Sequence, residues 1–335
     1  MEHPLARNPP VARIATRSTS RRWLVWCCVL FTALVAAEFL CRAFGLHQAV
    51  LYEPTEFGYR VIPSQELRRF GNRVFYNSFG LRSEATTALP AAGVWRVLCI
   101  GDSIANGGAI TDQDDTFPYQ MQRMLRAAGQ PVEVLNASAP GWAIENAQGW
   151  LRDNGVFGSK VVIFTIGDLD LFQERAGPEI VNNHPSFPGA APAFALEELV
   201  KRYLLPRLLA VSFVDPGARA ESRSPQAPRD RIDRVLAMAR LSEAQGAKFM
   251  VLFVAQPESG NASDPVAAAA TASLFQALGA LGIIYVETRD AVRQGGGLAL
   301  FRDQIHPNAK GNRLLAELAA GMLVAPVASS RLDKN

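Results

Sequence analysis

Histidine is scarce in this chain, with four in 335 residues. His3 and His47 flank an apolar segment and His184 stands beside Pro185 in a loop-like stretch, which leaves His306 as the candidate general base. Cysteine is as sparse. Cys27, Cys28 and Cys41 fall inside the apolar segment and Cys99 in a strand-like run, and no pair has the spacing of a disulfide or a zinc ligand set. The sequence therefore calls for neither a metal nor another cofactor. There is no Walker loop, and Ile104-Ala105-Asn106-Gly107-Gly108 lacks the dinucleotide glycine fingerprint. Charge bias is missing from most of the chain. Residues 1–46 hold six Arg and two Glu, and the remainder has 28 basic and 29 acidic residues. A near-neutral body argues against a nucleic-acid partner.

Only one long hydrophobic run is present. It extends from Trp23 to Ala37, broken only by Thr32, and continues through Phe39, Leu40, Cys41, Ala43, Phe44 and Leu46. Glu38 and Arg42 interrupt it at the i,i+4 spacing of a helical ion pair, Glu first. Residues 23–46 are long enough to span a bilayer if that pair sits near the far interface. Arg7, Arg13, Arg17, Arg21 and Arg22 precede the run, opposed only by Glu2. The expectation is a cytoplasmic basic arm (1–22), a transmembrane signal anchor (23–46) in the inner membrane, and an extracytoplasmic, periplasmic body. The rivals are a signal peptide cleaved after Val35-Ala36-Ala37 and a buried soluble helix; the arginine-rich flank opposes the second.

Residues 47–92 show few periodicities and read as a connector. From 93 to 325 the chain alternates apolar runs with helical patterns, and 326–335 reads as a tail. Strands are expected at 94–100, 132–136, 160–166, 247–254 and 282–286, and helices at 116–128, 143–153, 229–245, 263–280 and 307–324. Continuous apolar strands alternating with helices predict an α/β fold: a three-layer, doubly wound parallel five-stranded sheet in the flavodoxin-like order 2-1-3-4-5. Residues 171–228 break the alternation as an insert. Its segment 194–212 reads as an amphipathic helix. The insert fits a lid, a membrane-facing flap or a plain surface excursion.

The chemistry is carried by two short motifs. Val97-Leu98-Cys99-Ile100-Gly101-Asp102-Ser103 is an apolar strand that stops at a polar turn, and Asp303-Gln304-Ile305-His306-Pro307-Asn308 lies near the C-terminus. Each is weak alone. Together they supply nucleophile, orienting acid and base in the order Ser103, Asp303, His306. Three residues apart in a tight turn, Asp303 can reach Nδ1 of His306 and leave Nε2 for Ser103. Pro307 fits the first turn of a helix that would start beside His306. A third segment, Val132 to Trp142, is a strand running into a Pro140-Gly141 turn, where Gly141 offers an accessible backbone N–H as an oxyanion donor or is an ordinary turn glycine.

On these residues the chain resembles the SGNH (GDSL-type) hydrolases. Gly101-Asp102-Ser103 resembles the nucleophile block, Asn136-Ala137-Ser138-Ala139-Pro140-Gly141 the second block with Gly141 at the oxyanion position, and Asp303-Gln304-Ile305-His306 the last block. The N-terminal hydrophobic helix, Tyr76-Asn77-Ser78-Phe79-Gly80-Leu81-Arg82 and Asp115-Thr116-Phe117-Pro118 resemble a bacterial membrane-anchored subgroup. One block departs. The family places an oxyanion-donating Asn after the third strand, whereas here Gly167-Asp168-Leu169 occupies that place and no Asn occurs between Asn154 and Asn182. Asp168 and Asp170 otherwise read as caps of a following helix, and Asn106 is a candidate to replace the missing donor. The resemblance implies a membrane-anchored extracytoplasmic serine esterase acting on O-acyl (acetyl) groups of a carbohydrate. The alternatives are an O-acyltransferase component using the same three residues, or a catalytically weak binding or assembly protein.

Overall fold

The computed structural model describes residues 17–208, 226–256 and 265–332. Its centre is a parallel sheet of β5 (Trp95–Gly101), β6 (Val132–Ser138), β7 (Val161–Gly167), β8 (Lys248–Val254) and β9 (Ile284–Glu287). The spatial order β6-β5-β7-β8-β9 is the doubly wound 2-1-3-4-5 expected from the sequence. Register pairs Val97 with Val134 on one side and with Val161 on the other.

The central strands β5, β7 and β8 are buried almost along their whole length because both faces are covered, whereas the edge strand β9 is buried less completely. Successive residues alternate between two cores. Val97, Cys99, Ile163, Met250 and Leu252 pack against α3 (Phe117–Ala127) and α10 (Ala309–Leu332), through Phe117, Met121, Leu315 and Ala319. Leu98, Ile100, Val162, Phe164 and Val251 face α4 (Ile144–Asn154), α7 (Gln226–Ala244) and α8 (Pro265–Ala280), through Ala147, Leu151, Val235, Met238 and Leu274. Short helices α2 (Ser103–Asn106) and α9 (Arg289–Gly295) follow β5 and β9.

The 47–92 segment, expected as a connector, folds into two antiparallel hairpins. These are β1 (Tyr52–Thr55) with β2 (Gly58–Val61), and β3 (Gln65–Arg69) with β4 (Asn72–Tyr76). Tyr59, Val74 and Tyr76 are fully buried and join the same core as the sheet. The first part of the insert packs there too. Phe187 lies 5.0 Å from both Tyr52 and Tyr59, and Asn146 on α4 donates to the carbonyls of Phe57 (2.7 Å) and Ala176 (2.8 Å).

Of the helix expected over 194–212, residues 195–208 are helical and 209–225 lie outside the described residues. The helix is not uniform. α5 (Ala195–Glu198) widens into a π-helical turn, Leu199–Leu204, before α6 (Leu205–Leu208). Pro206 has no N–H to donate, and its ring crowds the preceding turn, which the wider turn relieves. N-terminal to the body, α1 (Arg17–Ala43) is almost wholly exposed; Arg21–Ala43 has the length to cross a membrane, and its most apolar 18-residue stretch has a mean hydropathy of 2.3. It stands as either an anchor or a signal sequence. The four cysteines are free.

Candidate active site

The site forms where β5, β6 and β7 end, at the C-terminal edge of the sheet. β5 ends at Gly101, where there is little room for a side chain: a Cβ would lie 3.0 Å from the Thr165 carbonyl oxygen and 3.1 Å from the Thr165 Cβ. Asp102 then caps α2, its carboxylate accepting the Ile104 N–H at 2.9 Å. That cap holds Ser103 at the first position of the helix, half buried, with its hydroxyl at the sheet edge.

From the far end of the chain, the turn before α10 brings His306 to Ser103. Nε2 of His306 lies 2.9 Å from Ser103 Oγ, and Nδ1 lies 2.9 and 3.0 Å from the two oxygens of Asp303. A carboxylate can only accept, so Nδ1 carries the proton and Nε2 is left to take the serine's. Asp303 is itself held by the turn, its Oδ1 accepting the N–H groups of Ile305 (2.8 Å) and His306 (2.7 Å). Partial burial works against its ionisation. The His306 and Ile305 backbone donors and then the imidazole outweigh that and hold the carboxyl below the usual aspartate range. The helix does not start at Pro307. Pro307 bridges Phe301, and Asn308 caps α10 by accepting from Lys310 (3.0 Å) and Gly311 (3.1 Å), so His306 precedes the helix by a short extended step. The Asn308 side chain does this capping better than a proline at the first position, because it satisfies two orphan N–H groups.

Gly141 lines the same pocket as Ser103 and His306 and has φ +75°, a backbone that a side chain would strain. Its carbonyl accepts from Gln173 Nε2 at 3.1 Å, and the Pro140 carbonyl, in the same peptide plane as the Gly141 N–H, accepts from the Tyr59 hydroxyl. The 167–169 block divides. Gly167 and Leu169 line the pocket. Asp168 is turned away, accepting from the Gln256 N–H at 2.9 Å and from Arg289 at 3.1 Å. Asn106 does not supply the missing donor. It is fully buried, its amide donates to the Ser138 carbonyl at 2.7 Å, and its oxygen accepts from Tyr76. The side-chain amides on the pocket wall belong instead to Gln173 and Gln256.

Asp170 also lines the pocket, and its Oδ2 accepts the Gly167 N–H at 2.6 Å. Burial, then the nearby charge of Asp102, pushes its carboxyl well above the usual range; the Gly167 bond pulls the other way and Asp168 adds to the rise.

A brace lies behind Ser103. Arg82 is buried and donates to the carbonyls of Asn106 (2.6 Å), Gly108 and Thr111 (2.7 Å), so one guanidinium clamps the loop after α2. Its own N–H donates to the Asn136 carbonyl at 2.9 Å, and Asn136 Nδ2 donates to Ala105 at 2.7 Å, which ties β6 to α2. Arg302, next to Asp303, reaches Thr111 Oγ1 on the same loop. The local signal for Arg82 is the Tyr76–Arg82 motif; nothing comparable marks Arg302, Gln173 or Gln256. Among the described residues, no group of three His, Cys, Asp or Glu is placed to hold a metal ion.

A doubly wound sheet that presents Ser103, His306 and Asp303 in hydrogen-bonded series at its C-terminal edge is the arrangement of a serine hydrolase. The chain belongs to the GDSL-like Lipase/Acylhydrolase family, whose sequence profile matches residues 99–314. No curated protein matches the chain. Similar solved structures include the psychrotrophic esterase EstA from Pseudoalteromonas sp., 14% identical, covering 70% of this chain and 98% of its own, with a TM-score of 0.42. TesA is 17% identical, covering 68% of this chain and 97% of its own, at 0.42. The acetyl xylan esterase AlAXEase is 15% identical, covering 69% and 99%, at 0.44.

Proposed function

We propose that this hydrolase is a membrane-anchored, extracytoplasmic serine esterase that removes small O-acyl groups, acetyl above all, from a carbohydrate. The observation that carries the catalytic part is the continuous relay from Ser103 Oγ to His306 Nε2 at 2.9 Å and from His306 Nδ1 to Asp303 at 2.9 Å. In this reading Ser103 Oγ attacks the ester carbonyl while His306 takes its proton. The backbone N–H groups of Ser103 and Gly141 hold the oxyanion. The alkoxide leaves with the proton from His306, and a water activated the same way by His306 then releases the acid from Ser103. Asp303 keeps the imidazole in the right tautomer throughout.

The pocket at Ser103 supports a small acyl group. Its volume is about 80 Å³ and Ile104, Leu169 and Ile305 line it. Sites for drug-sized ligands run to roughly 300–1,000 Å³. A long acyl chain would have to lie outside. The carbohydrate part rests on the family resemblance, and the anchored, periplasmic part on the arginine-rich arm before α1.

The test is turnover of acetyl, butyryl and octanoyl p-nitrophenyl esters by the full chain and by Ser103→Ala. The reading requires kcat/KM to fall with chain length and the Ser103→Ala protein to lose at least about 10³-fold. Full activity in Ser103→Ala would end it. A preference for octanoyl would overturn the small-acyl part alone.

A further inference from the structure

The region between α1 and the insert has a design that the esterase chemistry does not use. Phe194 is 63% exposed and Leu208 79%, and Val200, Leu204 and Leu205 are exposed between them. They do not stand alone. Phe31, Leu34, Val35 and Phe39 of α1 face Phe194 and Val200 across a cleft of about 570 Å³. A continuous apolar surface of this kind is unfavourable in water and marks an interaction site.

Depth along α1 says what covers it. The charge-free run from Trp23 to Ala37 is 15 residues. At 1.5 Å per residue that is roughly 22 Å, short of the ~30 Å hydrocarbon core. A span that fills the bilayer must therefore take Glu38 below the surface, where a bare carboxylate is costly. Glu38 is not bare. Its two oxygens accept the N–H groups of Ala195 and Leu196, each at 2.9 Å, and it pairs with Arg42 at 2.7 Å. The two backbone donors are orphan groups at the start of α5, which would themselves be unsatisfied in lipid. Each side meets the other's need without water.

The joint is also stiff. Arg69 on β3 is buried and pairs with Glu198 of α5, while its Nη1 donates to the Gly45 carbonyl at 2.9 Å. Gly45 sits at φ +75°, and a Cβ there would lie 2.3 Å from the Arg68 carbonyl oxygen. The end of α1, the insert helix and the second hairpin thus lock at one point.

We propose that residues 194–208 form a foot embedded in the lipid leaflet on the body's side of the membrane, with Phe194, Val200, Leu204, Leu205 and Leu208 among phospholipid acyl chains. This rests on the reading of α1 as a membrane anchor. The occupant is the bilayer because the apolar face of the foot continues the surface of α1, which that reading already puts in lipid. Lys201 and Arg202 pair with Glu197 and Glu198 four residues back, which neutralises those carboxylates, and Arg207 has a stem long enough to reach the headgroups. The foot makes α1 a rigid mount that fixes the orientation of the body over the membrane, where a flexible tether would let it swing.

The test is site-directed spin labelling of the full chain in phosphatidylcholine–phosphatidylglycerol vesicles. Cys27, Cys28 and Cys41 are changed to Ala, and Cys99 is fully buried and stays. Labels go on Leu204→Cys and Leu208→Cys, with Leu30→Cys reporting the span and Leu281→Cys the exposed body. The foot predicts that 204 and 208 match 30, accessible to oxygen and at least about fivefold less accessible than 281 to a water-soluble nickel chelate. Nickel access at 204 and 208 with lipid access at 30 would overturn the foot and leave the anchor standing. Nickel access at 30 as well would remove the anchor and the foot with it. Shielding of 204 and 208 from both reagents would mean a protein partner and would also overturn it. Leu208 is exposed enough that its label cannot disturb packing, so that position decides if Leu204→Cys fails to fold.

Discussion

At the scale of single residues, the site holds two carboxyls pushed in opposite directions. Asp303 is held below its ordinary range, so its contribution to stability is present above the unfolded-state value and is lost as pH falls through the folded one. Asp170 is held above it, so its contribution is full in acid and is lost as pH rises through its folded value. Thermal melts across pH should show both signs. The Asp303→Asn protein should melt below the parent at neutral pH, with the gap closing in acid. The Asp170→Asn protein should gain on the parent as pH rises, because the amide oxygen still accepts from Gly167 and never ionises. A second prediction concerns the missing oxyanion amide. Leu169 faces the pocket whereas Asp168 is spent on Gln256 and Arg289. Leu169→Asn should therefore raise kcat, by up to on the order of 10², with little change in KM, and Asp168→Asn should not. Equal rates for Leu169→Asn and the parent, in a protein already fast on p-nitrophenyl acetate, would mean that Gln173 or Gln256 completes the oxyanion site. Asp303 and His306 were legible in sequence because their contact is local. The commitment of Asn106 to Ser138 and Tyr76 was not, since those partners lie 32 and 30 residues away.

At the scale of elements, the five core strands were legible as predominantly apolar runs and their order followed from the alternation of those runs with helices, because a sheet covered on both faces has few polar positions. The hairpins were hidden for the converse reason. β3 reads Gln65-Glu66-Leu67-Arg68-Arg69, yet Gln65 and Arg69 are the buried residues and Leu67 is only partly so. A guanidinium pointing inward is set by a partner on another element, Glu198, that no local pattern announces. That pair gives a third prediction. Removing one member of a buried ion pair typically costs 3–5 kcal/mol. Arg69→Met alone should lower the denaturation midpoint markedly, and Arg69→Met with Glu198→Leu should recover most of the loss. If the single variant melts like the parent, the joint between hairpin and insert is not a structural tie.

At the scale of the whole molecule, the chain is an apolar helix mounted on a three-layer hydrolase. Topology is testable with a reporter fused after Asn335 that works only outside the cytoplasm. The anchor reading expects an active reporter on a product that keeps its arginine arm; a soluble product starting at Glu38 would mean a cleaved signal peptide. The proposed esterase chemistry requires Ser103 to be an activated nucleophile in the folded chain. The direct measurement is labelling of the full-length protein with a serine-directed fluorophosphonate, followed by peptide mapping. One adduct is expected, on Ser103, absent from Ser103→Ala and strongly slowed in His306→Ala. No adduct on a folded parent protein, or an adduct that survives in Ser103→Ala, would contradict it.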